Sequence, residues 1–264
     1  MTQQNSPVLP LVAPLSAICK GHGRLVNSWF EALKDLLFPP LCLGCERRLE
    51  SSRLPLFCPD CLADLAFIRS PCCLCCGVPF SAGVDHLCGD CLGQRYVFDF
   101  ARSLFHYQPP LSIIIRSLKF GGHLTSIATL GALTVRSDLM GLFGVPDLLL
   151  PVPLHQSRLR ERGFNQALVI ARGCFPQWKN RIEAGLLLRH RSTLSQSLLT
   201  GKERRRNLKN VFSLANASTV AGKRVLLVDD VFTTGSTVNE CSRVLRSAGA
   251  VRVEIFTLAR SLSS

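Results

Sequence analysis

The chain has 264 residues, an apolar content of 47% and a formal net charge of +13 at pH 7. This length allows one large domain or two smaller ones with a packed core, and no apolar run approaches the length of a membrane span. The positive excess favours polyanionic partners, such as pyrophosphate or a nucleic-acid backbone, although a basic surface without a dedicated partner is the ordinary alternative.

Residues 1–37 are predicted to be a leader that precedes the folded body. The apolar stretch 8–19 has no positive flank before it and no small-residue cleavage site after it, so it lacks the features of a signal peptide. A cytoplasmic location is therefore expected. A short amphipathic helix, which packs against the body or lies on a membrane surface, is predicted from the helical spacing of Trp29, Phe30, Leu33, Leu36 and Leu37.

Residues 38–95 are rich in cysteine and predict a double zinc-ribbon module. Ten of the thirteen cysteines fall within this segment, mostly as pairs that are separated by two residues. Such a spacer lets both sulfurs of a tight turn face one tetrahedral ion, and two turns complete a site of four thiolates. Two structural Zn²⁺ sites are expected, each closed by four ligands and therefore without an open position for catalysis. The predicted ligands are Cys42, Cys45, Cys58 and Cys61 for one site, and Cys73, Cys76, Cys88 and Cys91 for the other.

Other uses of these cysteines remain open. A disulfide framework would suit an exported chain, and redox pairs usually occur singly. The pair Cys72/Cys75 overlaps Cys73/Cys76, which we prefer because Gly77 permits the tight turn of a zinc knuckle. Interleaved pairing, with the first and last pairs sharing an ion, is also open. His86 is either a substitute ligand or, more simply, a surface residue.

Residues 96–264 alternate between predicted strands and helices. The strands are 100–107, 147–153, 225–230 and 251–258, and the helices are 110–118, 124–143, 165–172 and 237–248. Strands that alternate with helices imply a parallel α/β sheet that binds ligands at the carboxyl ends of its strands.

Basic residues concentrate in this second part of the chain. Residues 101–264 carry twenty-three Lys or Arg against nine Asp or Glu, whereas residues 1–100 carry eight and nine. Lys119 precedes two glycines just past a predicted helix, which is weak evidence because a helix C-cap gives the same pattern. Arg158, Arg160 and Arg162 are two residues apart, a spacing that is poor for a helix face and better for a loop around an anion.

Residues 189–210 predict a mobile basic arm that closes over a ligand. The segment contains five Arg, two Lys, one acidic residue and few apolar anchors. A solvated helix with a basic face is the plain alternative, and a nucleic-acid-binding arm is another, although no aromatic residues are interleaved for base stacking. The residues singled out in this arm are Arg189, Gln196, Arg204, Arg205, Arg206 and Asn207.

The most specific motif spans residues 223–237. An apolar run, 225–228, predicts a buried strand that ends at Asp229 and Asp230 and is followed by hydroxyl residues and a helix start. Backbone N–H groups and the positive end of a helix suit a phosphate, whereas the carboxylates are better placed for the hydroxyls of an attached sugar. An ordinary strand–helix turn with acidic caps is the alternative. No Lys of the Walker type follows the strand.

This motif closely resembles the phosphoribosyl-pyrophosphate signature of type I phosphoribosyltransferases. The resemblance implies that Asp229 and Asp230 bind the ribose hydroxyls. It also implies that the 5′-phosphate lies in the loop formed by Thr233, Thr234, Gly235, Ser236 and Thr237. Phe232 is bulkier than expected within this motif and should point into the core.

A second resemblance covers about residues 36–260. The paired cysteine knuckles, Lys-Phe-x-Gly, PVP with RGFNQ, the series Gln196, Leu199, Arg204 and Asn207, and LLVDDVFTTGST occur in the order found in the ComF family of bacterial competence proteins. The resemblance implies a zinc-binding module joined to a phosphoribosyltransferase-like domain, and a role in DNA uptake on internalised single-stranded DNA in the cytoplasm. The additional Cys72 and Cys75 depart from the family pattern.

Two functions follow as hypotheses. In the first, the chain transfers ribose 5-phosphate to an unidentified acceptor, with Lys119 and Arg162 at the pyrophosphate together with Mg²⁺. In the second, the site serves as a sensor or scaffold for phosphoribosyl pyrophosphate, the basic surface binds single-stranded DNA, and the zinc module contacts uptake or recombination proteins. DNA handling is preferred over a purely metabolic transferase of the nucleotide-salvage kind.

Overall fold

The computed structural model describes residues 39–51, 53–118, 124–191 and 211–262. The predicted leader with its helix and Lys119 lie outside the described residues, as do five residues of the basic arm: Gln196, Arg204, Arg205, Arg206 and Asn207.

Seven helices and six strands occur within the described ranges. They are α1 Pro59–Ala63, α2 Gly89–Leu92, β1 Phe100–His106, α3 Leu111–Ser117, α4 Leu124–Val135, β2 Leu148–Pro151, α5 Gln156–Arg162, α6 Gln166–Cys174, β3 Leu187–Arg189, β4 Phe212–Leu214, β5 Arg224–Phe232, α7 Ser236–Ser247 and β6 Arg252–Arg260. Short 3₁₀ segments cover Asp138–Leu142, Pro176–Arg181 and Ala217–Thr219.

The main sheet has four parallel strands in the order β1-β6-β5-β2. Residues 225–228 of β5 are at most 1% exposed, because a parallel strand that is covered on both faces must be apolar throughout. The predicted parallel α/β fold and its four strands are therefore confirmed.

Two buried clusters cover the two faces of this sheet. Leu226 and Val228 of β5 belong to one cluster, and Val225 and Leu227 belong to the other. This division follows from the geometry of a strand, in which successive side chains point to opposite faces. The cysteine segment contributes to both clusters, because Cys42 packs in the first and Cys73 in the second.

Two predictions about helical regions differ from the structure. The helix predicted for 124–143 ends at Val135, since Ser137 is extended and its hydroxyl bonds the carbonyl of Thr134 at 2.6 Å. The loop predicted around Arg158, Arg160 and Arg162 is wrong, because these residues lie on helix α5.

The arginine spacing misleads because α5 has no buried residue. Helical residues two apart point about 200° from each other, so they cannot share one face. A short helix without a buried residue needs no apolar face for its arginines to avoid. The helix begins where the His155 side chain accepts from the N–H of Ser157 at 3.2 Å.

Strands β3 and β4 form an antiparallel pair that the sequence did not predict. Three-residue strands are too short for a readable alternation. Arg189 pairs opposite Phe212 in this ribbon, so its assignment to a mobile arm is wrong. The helical segments near the other predicted positions and strand β6 are confirmed, with shifts of one or two residues at their ends.

Within the ranges that the structure describes, no helix is long and apolar enough to cross a membrane.

Candidate functional site

The first cysteine cluster has the geometry of a tetrahedral metal site. The sulfurs of Cys42, Cys45, Cys58 and Cys61 all lie within 4.8 Å of one another. Cys45 Sγ and Cys58 Sγ are 3.7 Å apart. Four thiolates at ~2.3 Å from a zinc ion would be separated by about 3.8 Å, so the residues present fit zinc.

The second cluster joins Cys73, Cys76, Cys88 and Cys91, whose sulfurs also lie within 4.8 Å of one another. Cys76 Sγ and Cys88 Sγ are 3.7 Å apart, which again fits tetrahedral zinc. The preference for Cys73 and Cys76 over the overlapping pair, and for sequential over interleaved pairing, is confirmed. His86 is exposed and stacks on Phe80, so it lies on the surface.

Backbone amides prepare one sulfur of the second cluster, that of Cys73, for a cation. The amides of Cys76 and Cys88 each donate to Cys73 Sγ at 3.4 Å. Burial raises the pKa of Cys73, but these amides and that of Cys75 outweigh it and lower the pKa to about 6. The thiolate is the form that binds metal, so Cys73 is prepared for the ion, whereas burial raises the pKa of Cys76 and Cys91, which release their protons when metal binds.

The knuckle turn of the second cluster needs glycine. Gly77 has a φ of +70°, and a Cβ built there would lie 2.5 Å from the carbonyl oxygen of Ala101. The turn therefore packs directly on strand β1. Cys72 and Cys75 lie in this turn but outside the metal cluster; burial raises the pKa of both thiols, and the carbonyl of Cys75 accepts from the N–H of Ala101 at 2.6 Å.

The two acidic residues of the phosphoribosyl motif lie where the sheet opens. Strand β2 stops pairing with β5 at Val228, whereas β6 stays paired as far as Phe232. Asp229 and Asp230 follow Val228, so they have a paired strand on the side of β6 and no paired strand on the side of β2. The predicted strand end at residue 230 is thus two residues too early, because β6 extends the pairing.

The electrostatics of the pair are unusual. Burial, followed by the neighbouring charge of Asp230, raises the pKa of Asp229 well above its ordinary value. The amide of Asp230 donates to Asp229 Oδ1 at 2.9 Å, and Arg189 from β3 partly offsets the rise. Arg189 is itself half-buried, with its guanidinium 5.6 Å from the ring centroid of Phe212. A bound cation or sugar hydroxyls would complete such a site.

The loop that follows carries polar groups toward the start of α7. Thr234 Oγ1 lies 2.8 Å from Ser236 Oγ, and the amide of Ser236 donates to Thr234 Oγ1 at 3.4 Å. Gly235 has a φ of +70°, and a Cβ there would lie 2.5 Å from Phe232 Cζ. Phe232 is 1% exposed, so the expectation that it points into the core is confirmed. The first amides of α7 are unpaired within a helix and suit an anion.

Arg162 and Gln166 lie beyond the carboxyl end of β2. Arg162 Nη1 donates to Gln166 Oε1 at 2.7 Å. Gln166 is 5% exposed, and its Nε2 has no hydrogen-bond partner among the residues that the structure describes. Asn165 fixes this segment, since its Nδ2 donates to the carbonyl of Val152 at 3.0 Å. A buried, unused donor is available to an acceptor.

Sequence reasoning missed Tyr96, Arg95, Gln166 and Arg260. The hydroxyl of Tyr96 donates to the carbonyl of Thr234 at 3.1 Å, and Arg95 Nη2 donates to the same carbonyl at 3.4 Å. Hydrophobic periodicity does not mark Tyr96. Arg260 could have been found, because a charged residue at the end of a buried apolar strand is rare without a specific partner.

Known protein families match both the cysteine-rich segment and the α/β part of the chain. Residues 33–92 match the double zinc ribbon domain, and residues 189–264 match the phosphoribosyl transferase domain.

Several curated bacterial proteins are similar over most of their length. Competence protein F of Haemophilus influenzae is 35% identical over 227 residues, which is 84% of this chain and 90% of that protein. The DNA utilization protein YhgH of Escherichia coli K12 is 36% identical over 71% of this chain and 83% of its own length. Competence protein ComFC of Bacillus subtilis is 30% identical over 77% of this chain and 84% of its own length.

Proposed function

The chain belongs to the ComF family of competence and DNA-utilization proteins, and we propose that it binds phosphoribosyl pyrophosphate. We further propose that it handles internalised single-stranded DNA in the cytoplasm during transformation. Both proposals rest on the family membership and on the geometry of the site. The observation that carries the proposal is the pair Asp229–Asp230 at the open edge of β5, directly before the 233–237 loop and the start of α7.

Each part of the ligand has chemically suitable partners in this arrangement. The ribose hydroxyls are assigned to Asp229 and Asp230, which can accept hydrogen bonds and, where protonated, donate them. The 5′-phosphate is assigned to the 233–237 loop and the amides of α7. The pyrophosphate is assigned to Arg162 and Lys119, and the rest of the 189–210 arm is assigned to covering it.

Mg²⁺ is the proposed companion of the ligand. Carboxylate and phosphate oxygens are hard donors of the kind that Mg²⁺ binds. A cation at this position would favour the charged carboxylate and so lower the raised pKa of Asp229. When bound, the ion would neutralise charge on the pyrophosphate.

The proposed role in DNA handling is supported by the positive charge of the second part of the chain and by its similarity to competence and DNA utilization proteins. Residues 101–264 hold twenty-three Lys or Arg against nine acids, and Arg160 is exposed on the solvated helix α5. Phosphate contacts of this kind supply the bulk of non-specific nucleic-acid affinity. Uptake or recombination proteins are the proposed protein partners.

Titration calorimetry with phosphoribosyl pyrophosphate and Mg²⁺ tests the ligand directly. Binding should be measurable in the wild type and lost in Asp229→Asn plus Asp230→Asn. The matched control is Asp64→Asn plus Glu183→Gln, which removes the same charge from two exposed side chains and should bind normally. Unchanged binding in the Asp229/Asp230 variant would sink the assignment.

Pyrophosphate release measured across nucleobases and single-stranded DNA separates ligand binding from transfer. Release with a nucleobase, in a chain that has no affinity for single-stranded DNA, would replace the DNA role with that of a metabolic transferase. Binding of both ligand and DNA without release would make the site a sensor or scaffold.

A further inference from the structure

The segment that leaves the second zinc cluster contacts the main chain of the 233–237 loop. The hydroxyl of Tyr96 donates to the carbonyl of Thr234 at 3.1 Å. The Tyr96 ring also lies against Gly235, since a Cβ built on that glycine would be 2.9 Å from Tyr96 Cε1. Arg95 pairs with Asp90 on α2 and donates Nη2 to the same Thr234 carbonyl at 3.4 Å. One carbonyl of the loop therefore takes both its donors from the residues just after Cys91.

The same segment is tied to the first turns of α7. Asn239 Oδ1 accepts from the N–H of Val97 at 2.8 Å, and Asn239 Nδ2 donates to the carbonyl of Arg95 at 3.3 Å. Residues 95–97 thus hold the loop and the helix start at once. A displacement of this segment would move the amides that face the phosphate position.

A second path runs from the metal cluster through Arg260. Arg260 is 7% exposed, and its Nη1 donates to the carbonyl of Cys76 at 2.6 Å. Its Nη2 lies 3.6 Å from Cys76 Sγ. The guanidinium carbon is 4.4 Å from the ring centroid of Phe232, and Phe232 lies directly beneath Gly235. The contacts run without a gap from a metal ligand to the turn of the loop.

Charge explains why an arginine is buried at this point. Four thiolates around Zn²⁺ carry a net charge of about −2, and an N–H donor to a thiolate sulfur lowers the cost of that charge. The ring face of Phe232 supplies a second favourable contact for the cation. Arg260 is therefore well placed only while the second cluster keeps its charge and shape.

We propose that the second zinc ribbon supports the 233–237 loop, with Tyr96 and Arg260 as the positioning residues that fix the backbone at Thr234 and Gly235. Loss of zinc from this ribbon releases both contacts and loosens the loop. The first ribbon has a different neighbourhood, since Leu56 donates its N–H to Thr129 of α4 at 3.1 Å. The coupling itself is independent of the ligand, and only its effect on phosphoribosyl pyrophosphate rests on the proposed function.

Hydrogen–deuterium exchange of peptides covering residues 233–240 tests the coupling in the free protein. Tyr96→Phe removes one hydrogen bond and little volume, so exchange of these amides should quicken by about 2- to 12-fold, the range set by one hydrogen bond. Tyr107→Phe is the matched control, because it changes the other tyrosine of the chain, which packs with the first ribbon's cluster. Both variants should retain two zinc ions per chain.

Equal exchange in wild type, Tyr96→Phe and Tyr107→Phe would overturn the proposal. Arg260→Lys supplies a second reading, because it keeps the charge but cannot bond Cys76 and cover Phe232 together. Faster exchange of 233–240 with both zinc ions retained supports a positioning role, and unchanged exchange contradicts it. If the wild type fails to bind phosphoribosyl pyrophosphate while these exchange differences persist, the proposed function fails and the coupling stands.

Discussion

The two cysteine clusters share a ligand pattern but serve different parts of the molecule. Cys42, Cys58 and Cys61 pack in the core on one face of the sheet, whereas Cys73 and Cys76 pack in the core on the other. Only the second of these cores contains Phe232, which packs against Gly235 in the 233–237 loop. Two ribbons with the same ligand pattern can therefore differ in their effect on the candidate site, because each packs against a different part of the molecule.

The largest expected effect is that of Gly235→Ala. Alanine in the left-handed region costs ~1–2 kcal/mol, and overpacking against Phe232 and Tyr96 adds ~1–3 kcal/mol to the loss of unfolding free energy. Binding of phosphoribosyl pyrophosphate should fall below detection. Chemical denaturation and calorimetry measure the two effects.

Gly222→Ala is the control for this change. Gly222 has a φ of +72° but no atom within 4 Å of a built Cβ. Alanine there should therefore lose only the free energy of adopting a left-handed backbone. If both alanine variants lose equal stability and both bind the ligand, the close packing beneath Gly235 has no functional role. The proposed difference between the two faces of the sheet would then be wrong.

An intermediate effect is expected from Arg204→Ala, Arg205→Ala and Arg206→Ala combined. Each phosphate contact to single-stranded nucleic acid contributes about 0.7 to the slope of log affinity against log salt concentration, so the slope should fall by about 2. Zinc content should stay at two ions per chain. Fluorescence anisotropy with labelled single-stranded DNA across a salt series measures the slope.

The control for the arm is a triple change of exposed arginines near the first ribbon, Arg47→Ala, Arg48→Ala and Arg53→Ala. These should leave the DNA affinity close to that of the wild type. An equal fall in slope in both triple variants would mean that net charge alone, and not the arm, binds DNA.

The smallest expected effect is on stability, from Asp229→Asn alone. Because burial raises the folded-state pKa of Asp229, the native state holds this proton more tightly than the unfolded state, and stability falls as pH rises from the unfolded value through the folded one. The variant should therefore be more stable than wild type at neutral pH, by about 2–4 °C in Tm for each kcal/mol gained.

At a pH below the unfolded pKa of Asp229, this advantage should vanish, since both states are then protonated. Thermal unfolding of wild type and variant at several pH values provides the measurement. A variant that is less stable than wild type at neutral pH would show that the carboxylate is well paired in the free protein, and that the site needs no ligand to complete it.

Much of this architecture was readable from local patterns. The pairs of cysteines set two residues apart predicted the two clusters, and Gly77 after Cys76 favoured Cys73 and Cys76 over the overlapping pair. The spacing left sequential and interleaved pairing open, and the structure shows the sequential one. The apolar run 225–228, followed by two acids and a small-residue loop, predicted the strand, turn and helix start of the candidate site, because all three are local in sequence.

What the sequence could not give depends on contacts between distant segments. Tyr96 contacts Thr234, and Arg260 contacts Cys76. The partners are far apart in sequence, and hydrophobic periodicity carries no information about such contacts. The same holds for β3 and β4, whose pairing places Arg189 near Asp229. Helix α5 was missed for another reason, since a helix without a buried residue carries no buried apolar face to detect.

The central claim is that the second ribbon, and not the first, supports the 233–237 loop, and Cys88→Ser compared with Cys58→Ser tests it most directly. Each substitution removes one thiolate from one cluster, so each variant should retain one zinc ion per chain by elemental analysis. Calorimetry with phosphoribosyl pyrophosphate and Mg²⁺ should then show binding in Cys58→Ser and none in Cys88→Ser. Equal affinities in the two variants, or binding retained only in Cys88→Ser, would contradict the account.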